Sequence, residues 1–339
     1  MTPAAARLGA LAACAALACA HAPRAAPSQL PDLRWPEGPA APRARLARLL
    51  PDPQAQAPIA PAWRRALDAV LGLERRAPDA GLRRPFGVLA VDGEETLVAD
   101  PDLARVVRVG GRGTQRTVEC KGRAWSAPFA LARAPSGELL VADAGAAVVV
   151  RISPDGRCAE LGAGRLERPT GVAATADRIY VADPPRHEVV ALSAAGEVVA
   201  RMGGRGAGDG QLSFPTAVAV APDGTLLVVD ALNFRISRFS PDGRWLGAFG
   251  EAGDEGGALA RPKGIAVDRE GRVYVSDAQR DVVLVFSPAG ALEYALGASG
   301  EGPGRFVHPA GLAVAGNRLL VADSLNGRVQ VFELIGEAP

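Results

Sequence analysis

Short apolar runs alternate with turn residues through most of the chain, and the alternation has a long period of its own. The tripeptides Val98-Ala99-Asp100, Val141-Ala142-Asp143, Val181-Ala182-Asp183, Val228-Val229-Asp230, Val275-Ser276-Asp277 and Val321-Ala322-Asp323 recur, their Asp residues 43, 40, 47, 47 and 46 positions apart. Each is preceded at 14 or 15 residues by a proline that opens an apolar run: Pro85, Pro128, Pro169, Pro215, Pro262 and Pro309. One unit reads as four strands. Residues 262–267 form strand a, nearly all apolar as an innermost strand should be, and a turn at 268–271 leads to strand b at 272–277. Strand c follows at 281–286, and a Ser-Pro-Ala-Gly turn leads to strand d at 291–297. Four short antiparallel strands, repeated six times, predict an all-β fold: a six-bladed β-propeller of four-stranded antiparallel blades over residues 81–335.

Composition agrees. Forty Gly and 28 Pro are too many for a helical fold, while 48% hydrophobic with only 5% aromatic residues calls for a core of small aliphatics. The 38 Lys+Arg and 37 Asp+Glu leave a net charge of +1, so no global field draws the chain to a polyanion. Nucleic acid is not an expected partner, because stacking aromatics are scarce as well.

The N-terminal region carries other signals. A basic start and the apolar run 8–17 have the shape of an export signal over residues 1–19, far shorter than a spanning helix. Leu11-Ala12-Ala13-Cys14 and Ala16-Leu17-Ala18-Cys19 are both lipobox-like, so Cys19 or Cys14 is the expected lipidation site; ordinary cleavage after Ala20 is the alternative. Residues 20–41 read as a Pro/Ala-rich tether. Residues 42–50, an extended run after Pro42, are expected to close the ring by pairing with the last blade, which has no strand d of its own. Trp63, Leu67, Val70 and Leu71 have helical spacing and predict a capping helix over 62–73.

The Pro-x-Gly-[Ile/Val/Leu]-Ala-Val openings, the Val-x-Asp turns and endings such as Asn326-Gly327-Arg328-Val329 resemble NHL repeats. Blade 2 departs most, with Gly145-Ala146-Ala147 in place of the Asn-x-Arg turn. The layout from Trp35-Pro36 to Arg84-Pro85-Phe86-Gly87 is similar to exported bacterial NHL lipoproteins of largely unassigned role. That resemblance implies localisation in the cell envelope, on the outer-membrane, periplasmic or extracellular side, with contact to a membrane only through the lipid anchor. Arginines five residues after Asp100, Asp230 and Asp323, namely Arg105, Arg235 and Arg328, are expected to bridge a turn structurally.

Candidate chemistry is sparse. The strand a cores contain no carboxylate, imidazole or thiol. NHL-like amidating lyases use several histidines around zinc, and only His187 and His308 follow the signal region. Related calcium-bearing lactonases use a Glu-Gly-Pro motif, but Glu37-Gly38-Pro39 falls in the tether and Glu301-Gly302-Pro303 between blades. No metal, cofactor or catalytic residue is expected, and the chain reads as a noncatalytic scaffold; a propeller lyase or lactonase with a channel metal is the alternative. Counting places Cys120 at the end of one strand d and Cys158 at the start of the next, on opposite faces, so a disulfide is not expected.

Charges sort by face. Arg84, Arg168, Arg261, Lys263 and His308 flank the strand a prolines, and His187 and Arg235 lie in b-to-c loops of the same face, with Phe86 and Phe129 near the rim. The opposite face carries Glu95, Glu138, Asp155, Asp177, Asp223 and Asp268. The expectation is that a monomer binds an envelope protein or acidic polymer through the basic face, at the channel mouth.

Overall fold

A computed structural model describes residues 30–38, 40–51, 81–91, 95–110, 114–253 and 257–336. The helix expected over 62–73 lies outside the described residues, as does the signal region with Cys14 and Cys19. The rest forms a propeller of six antiparallel blades. Blade 3 shows the plan: strand a Gly171–Ala174, b Arg178–Asp183, c Glu188–Ser193 and d Val198–Gly203, hydrogen-bonded in that order. Each strand a packs on the next around the ring, and the sixth returns to the first.

The core is divided into layers between successive blades. Val and Leu of strands b and c supply most of it, as in the layer of Leu140, Val149, Val181, Val190 and Leu192 between blades 2 and 3. These strands have both faces covered, so they read as apolar runs.

The centre is closed by close backbone approach. A Cβ built on Gly171 would stand 2.7 Å from Ala217 Cα and 3.1 Å from Thr216 O, in the neighbouring strand a. Gly87, Gly264 and Gly311 press on the next blade in the same way, which is the physical reason for Gly in the Pro-x-Gly opening. Side-chain hydroxyls add interblade ties: Thr170 donates to Thr216 O (2.9 Å), Thr216 to Lys263 O (3.0 Å) and Ser324 to Pro85 O (2.7 Å).

Ring closure follows the expected route. Ala44–Leu50 pairs antiparallel with Arg328–Leu334, Ala44 opposite Leu334 and Leu50 opposite Val329. The tether is shorter than residues 20–41 suggest, because Arg34–Trp35 adds a fifth strand outside this one. Trp35 is buried and meets the Phe332 ring edge-on at 5.4 Å, so apolar burial holds this end of the tether to the blade.

Cys120 and Cys158 are disulfide-bonded, with Cα atoms 6.0 Å apart, against the expectation. That expectation assumed a full strand d in blade 1. The strand is only Gln115–Thr117, and the chain then turns back through a Cys120–Arg123 bridge. This sinks Cys120 into the layer between blades 1 and 2, beside Trp125, Val150 and Ile152, with Cys158 packed against the same layer.

Candidate functional site

The site is built from the buried Asp that ends each strand b. Asp100, Asp143, Asp183, Asp230, Asp277 and Asp323 are fully buried. Each reaches across to the loop entering strand a and accepts backbone N–H groups there. Asp183 takes Glu167 N and Arg168 N (both 2.8 Å), Asp277 takes Ala260 N (2.7 Å) and Arg261 N (3.1 Å), and Asp100 takes Arg83 N (2.7 Å) and Arg84 N (3.3 Å). A carboxylate that accepts several N–H bonds can stay charged without solvent. The recurrent Asp thus fixes the backbone of Arg84, Arg168 and Arg261 while their side chains stay exposed.

The residues after the six prolines, Phe86, Phe129, Thr170, Thr216, Lys263 and Ala310, occupy one register at the top of strand a. The first five line both a narrow neck of about 90 Å³, floored by strand a backbone, and a wider cavity of about 220 Å³ above it. Arg84 and Arg168 add cations to the cavity wall, Pro101, Pro184 and Phe214 add apolar surface, and Asp102 adds a carboxylate. Phe86 and Phe129 meet edge to face at 4.7 Å, and the Arg168 guanidinium lies over Phe129 at 5.9 Å. Lys263 is held below the ordinary lysine range, first by burial and then by the positive charges of Arg261, Arg84 and Arg168.

Five of the residues singled out from the sequence, Arg84, Phe86, Phe129, Arg168 and Lys263, therefore share one cavity, and Arg261 stands close enough to act on Lys263. The others are placed elsewhere. Arg235 is tied to Asp230 Oδ2 at 2.9 Å and to the carbonyls of Ala207, Gly208 and Gln211. His187 Nδ1 accepts Phe214 N at 3.2 Å, which holds the blade 4 entry loop, and His308 N donates to Asp281 at 2.7 Å. Thr170 and Thr216 were missed. The signal for them is the register itself, one residue past each proline and just before the strand a cores.

The opposite face is not a bare acidic surface. Its carboxylates pair with arginines of the same turns and strands: Asp268 with Arg272 (2.7 Å), Glu95 with Arg108 (2.7 Å), Asp155 with Arg157 (2.6 Å). Among the described residues, Arg84, Arg168, Arg261 and Lys263 make no such pair. A groove of about 310 Å³ also lies on that opposite face between blades 4 and 5, but its Arg238 is committed to Pro288 O (2.9 Å) and the Phe249 ring. No group of three or more His, Cys, Asp and Glu among the described residues is arranged to hold a metal.

Fold and mouth together define a six-bladed β-propeller with a basic collar. It carries an NHL repeat: the model of that repeat family matches residues 306–332, in the sixth blade. No curated protein matches the chain. Solved structures share the fold at low identity. A gluconolactonase from Xanthomonas campestris is 21% identical, with a TM-score of 0.60 over 76% of this chain and 88% of that one. Virginiamycin B lyase from Staphylococcus aureus is 13% identical, with a TM-score of 0.58 over 75% and 98%. A Bacteroides thetaiotaomicron protein of unknown function is 15% identical, with a TM-score of 0.59 over 75% and 70%.

Proposed function

We propose that this propeller is a noncatalytic binding scaffold of the bacterial cell envelope, exported and lipid-anchored at Cys19 or Cys14, whose channel mouth takes an anionic partner. One observation carries the binding reading: two exposed arginines, from blades 1 and 3, and a half-buried lysine line one cavity, with exposed Arg261 of blade 5 close enough to act on that lysine, and none of the four has a carboxylate pair among the described residues. Unpaired cations beside apolar surface give a ligand both Coulombic attraction and burial. The lipobox-like N-terminus supports export, and the Cys120–Cys158 bond suits an oxidising compartment.

The test is charge reversal. Arg84→Glu, Arg168→Glu and Arg261→Glu together should abolish retention on immobilised polyglutamate and salt-sensitive capture of partners from envelope extracts. Retention equal to that of the unaltered protein rejects the mouth as the site. Mass spectrometry of the mature N-terminus tests the anchor, and an unmodified His21 start refutes it.

An enzymatic reading, a lyase or lactonase, is kept because two structural neighbours bear those names. Any ligands for a channel metal have to come from loops, since the neck is lined by backbone, aliphatics, threonines, Phe and one lysine. Stoichiometric zinc or calcium in the purified protein favours this second reading.

A further inference from the structure

Of the 38 basic residues only two are lysines, Lys121 and Lys263. A guanidinium keeps its proton under all working conditions, whereas an ammonium can release it and become a nucleophile. Lys121 is exposed on the connection between blades 1 and 2. Lys263 lines both the neck and the mouth cavity, as do Phe86 and Phe129. The charged groups around it are Arg84 from blade 1, Arg168 from blade 3 and Arg261 from its own blade, with Asp102 in the same cavity wall. Among the described residues its ammonium has no carboxylate partner. Burial and the three guanidinium groups all favour the neutral amine. Two of these guanidinium groups, Arg84 and Arg168, share the cavity wall with that amine.

We propose that Lys263 is a nucleophilic amine that condenses with the carbonyl of a small 2-oxo acid, whose carboxylate is held by Arg84 and Arg168 and whose apolar end lies against Phe86 and Phe129. The nitrogen lone pair attacks the carbonyl carbon, and the carbinolamine loses its hydroxyl as water, which carries away both amine protons. A C=N bond replaces C=O, and nothing is oxidised or reduced. The cavity of about 220 Å³ has room for roughly seven water-sized groups, enough for an acid of that size. This inference rests on the anion-binding reading above.

The near absence of other lysines makes the test clean. The full chain is incubated with pyruvate, reduced with cyanoborohydride, and the adducts are located by peptide mass spectrometry. Lys263 should be modified at least about tenfold more than Lys121, and Arg84→Gln with Arg168→Gln should lower its adduct by about tenfold, the scale of losing charge-assisted contacts. Its modification rate should level off below the ordinary lysine range. Methyl pyruvate, which lacks the charge, should not exceed pyruvate at Lys263. Equal modification of the two lysines, or a lower yield at Lys263, overturns the proposal. Protection of Lys263 from trinitrobenzenesulfonate by propionate separates the two levels. Protection without a pyruvate adduct sinks the amine chemistry and leaves the anion site standing; neither protection nor adduct sinks both.

Discussion

Replacing Gly171 by Ala tests the idea that the propeller is closed at its centre by backbone contact. The added methyl meets Ala217 Cα at 2.7 Å and Thr216 O at 3.1 Å. Carbon atoms prefer about 3.5 Å or more, so blades 3 and 4 have to part by roughly 0.8 Å, or the strand has to shift. Overpacking of this kind costs about 1–3 kcal/mol. Against it stands the usual benefit of Gly→Ala, about 0.4–1 kcal/mol from a less flexible unfolded chain. The φ of Gly171 is not positive, so no backbone strain enters. The net loss is about 1–2 kcal/mol, a drop in Tm of roughly 2–8 °C for a domain of this size. Gly302→Ala is the control, since its Cβ meets only Arg305 Cδ, at 3.8 Å. Differential scanning calorimetry of both variants checks the argument. A Gly171→Ala protein as stable as the control would falsify the reading of the Pro-x-Gly opening as a packing requirement.

Other perturbations probe the parts around that centre. Asp323→Ala strips partners from Val307 N, the Asn326 amide, Arg328 Nε and Gln330 Nε2, bonds of 2.7–2.9 Å around a fully buried carboxylate. It should cost about 3–5 kcal/mol in urea melts, the range for breaking a buried charged pair, and a loss below 1 kcal/mol would show that the loop does not depend on it. Replacing Cys120 and Cys158 by Ala opens a loop of 38 residues and should lower stability by about 4 kcal/mol on the loop-entropy argument; no change on reduction speaks against the bond. Lys263 holds its proton less firmly folded than unfolded. Between its lowered pKa and the ordinary lysine range the unfolded chain therefore binds more protons, so this residue makes stability rise with pH there. Lys263→Met should remove that alkaline component from a series of thermal melts, and an unchanged slope counts against it.

The architecture was legible because each blade repeats the same marks: a proline, an apolar run and a buried Asp at a fixed distance. Closure by residues 42–50 was legible too, since an apolar edge needs a partner and one extended run was free. What escaped depended on contacts that spacing does not encode. The collar threonines sit one residue before the apolar strand a cores, and only the ring brings five such positions to one cavity. Arg235 and Arg84 look alike in sequence, yet one is spent on three carbonyls and a carboxylate while the other stays exposed. The disulfide was missed because a strand d of ordinary length was assumed where only three residues form one.

The seam in the last blade has a consequence for the order of events in synthesis. Arg45 and Glu333, paired across it, are 288 residues apart, whereas the hairpins of the other blades are local. Joining ends that distant costs roughly 2–3 kcal/mol more entropy than closing a 15-residue turn. The strand Ala44–Leu50 must wait for the strand Arg328–Leu334. Until that later strand has been made, the ring stays an open arc of hairpins. In the finished protein the same seam is the natural first opening, so early proteolytic cuts and hydrogen exchange should start there.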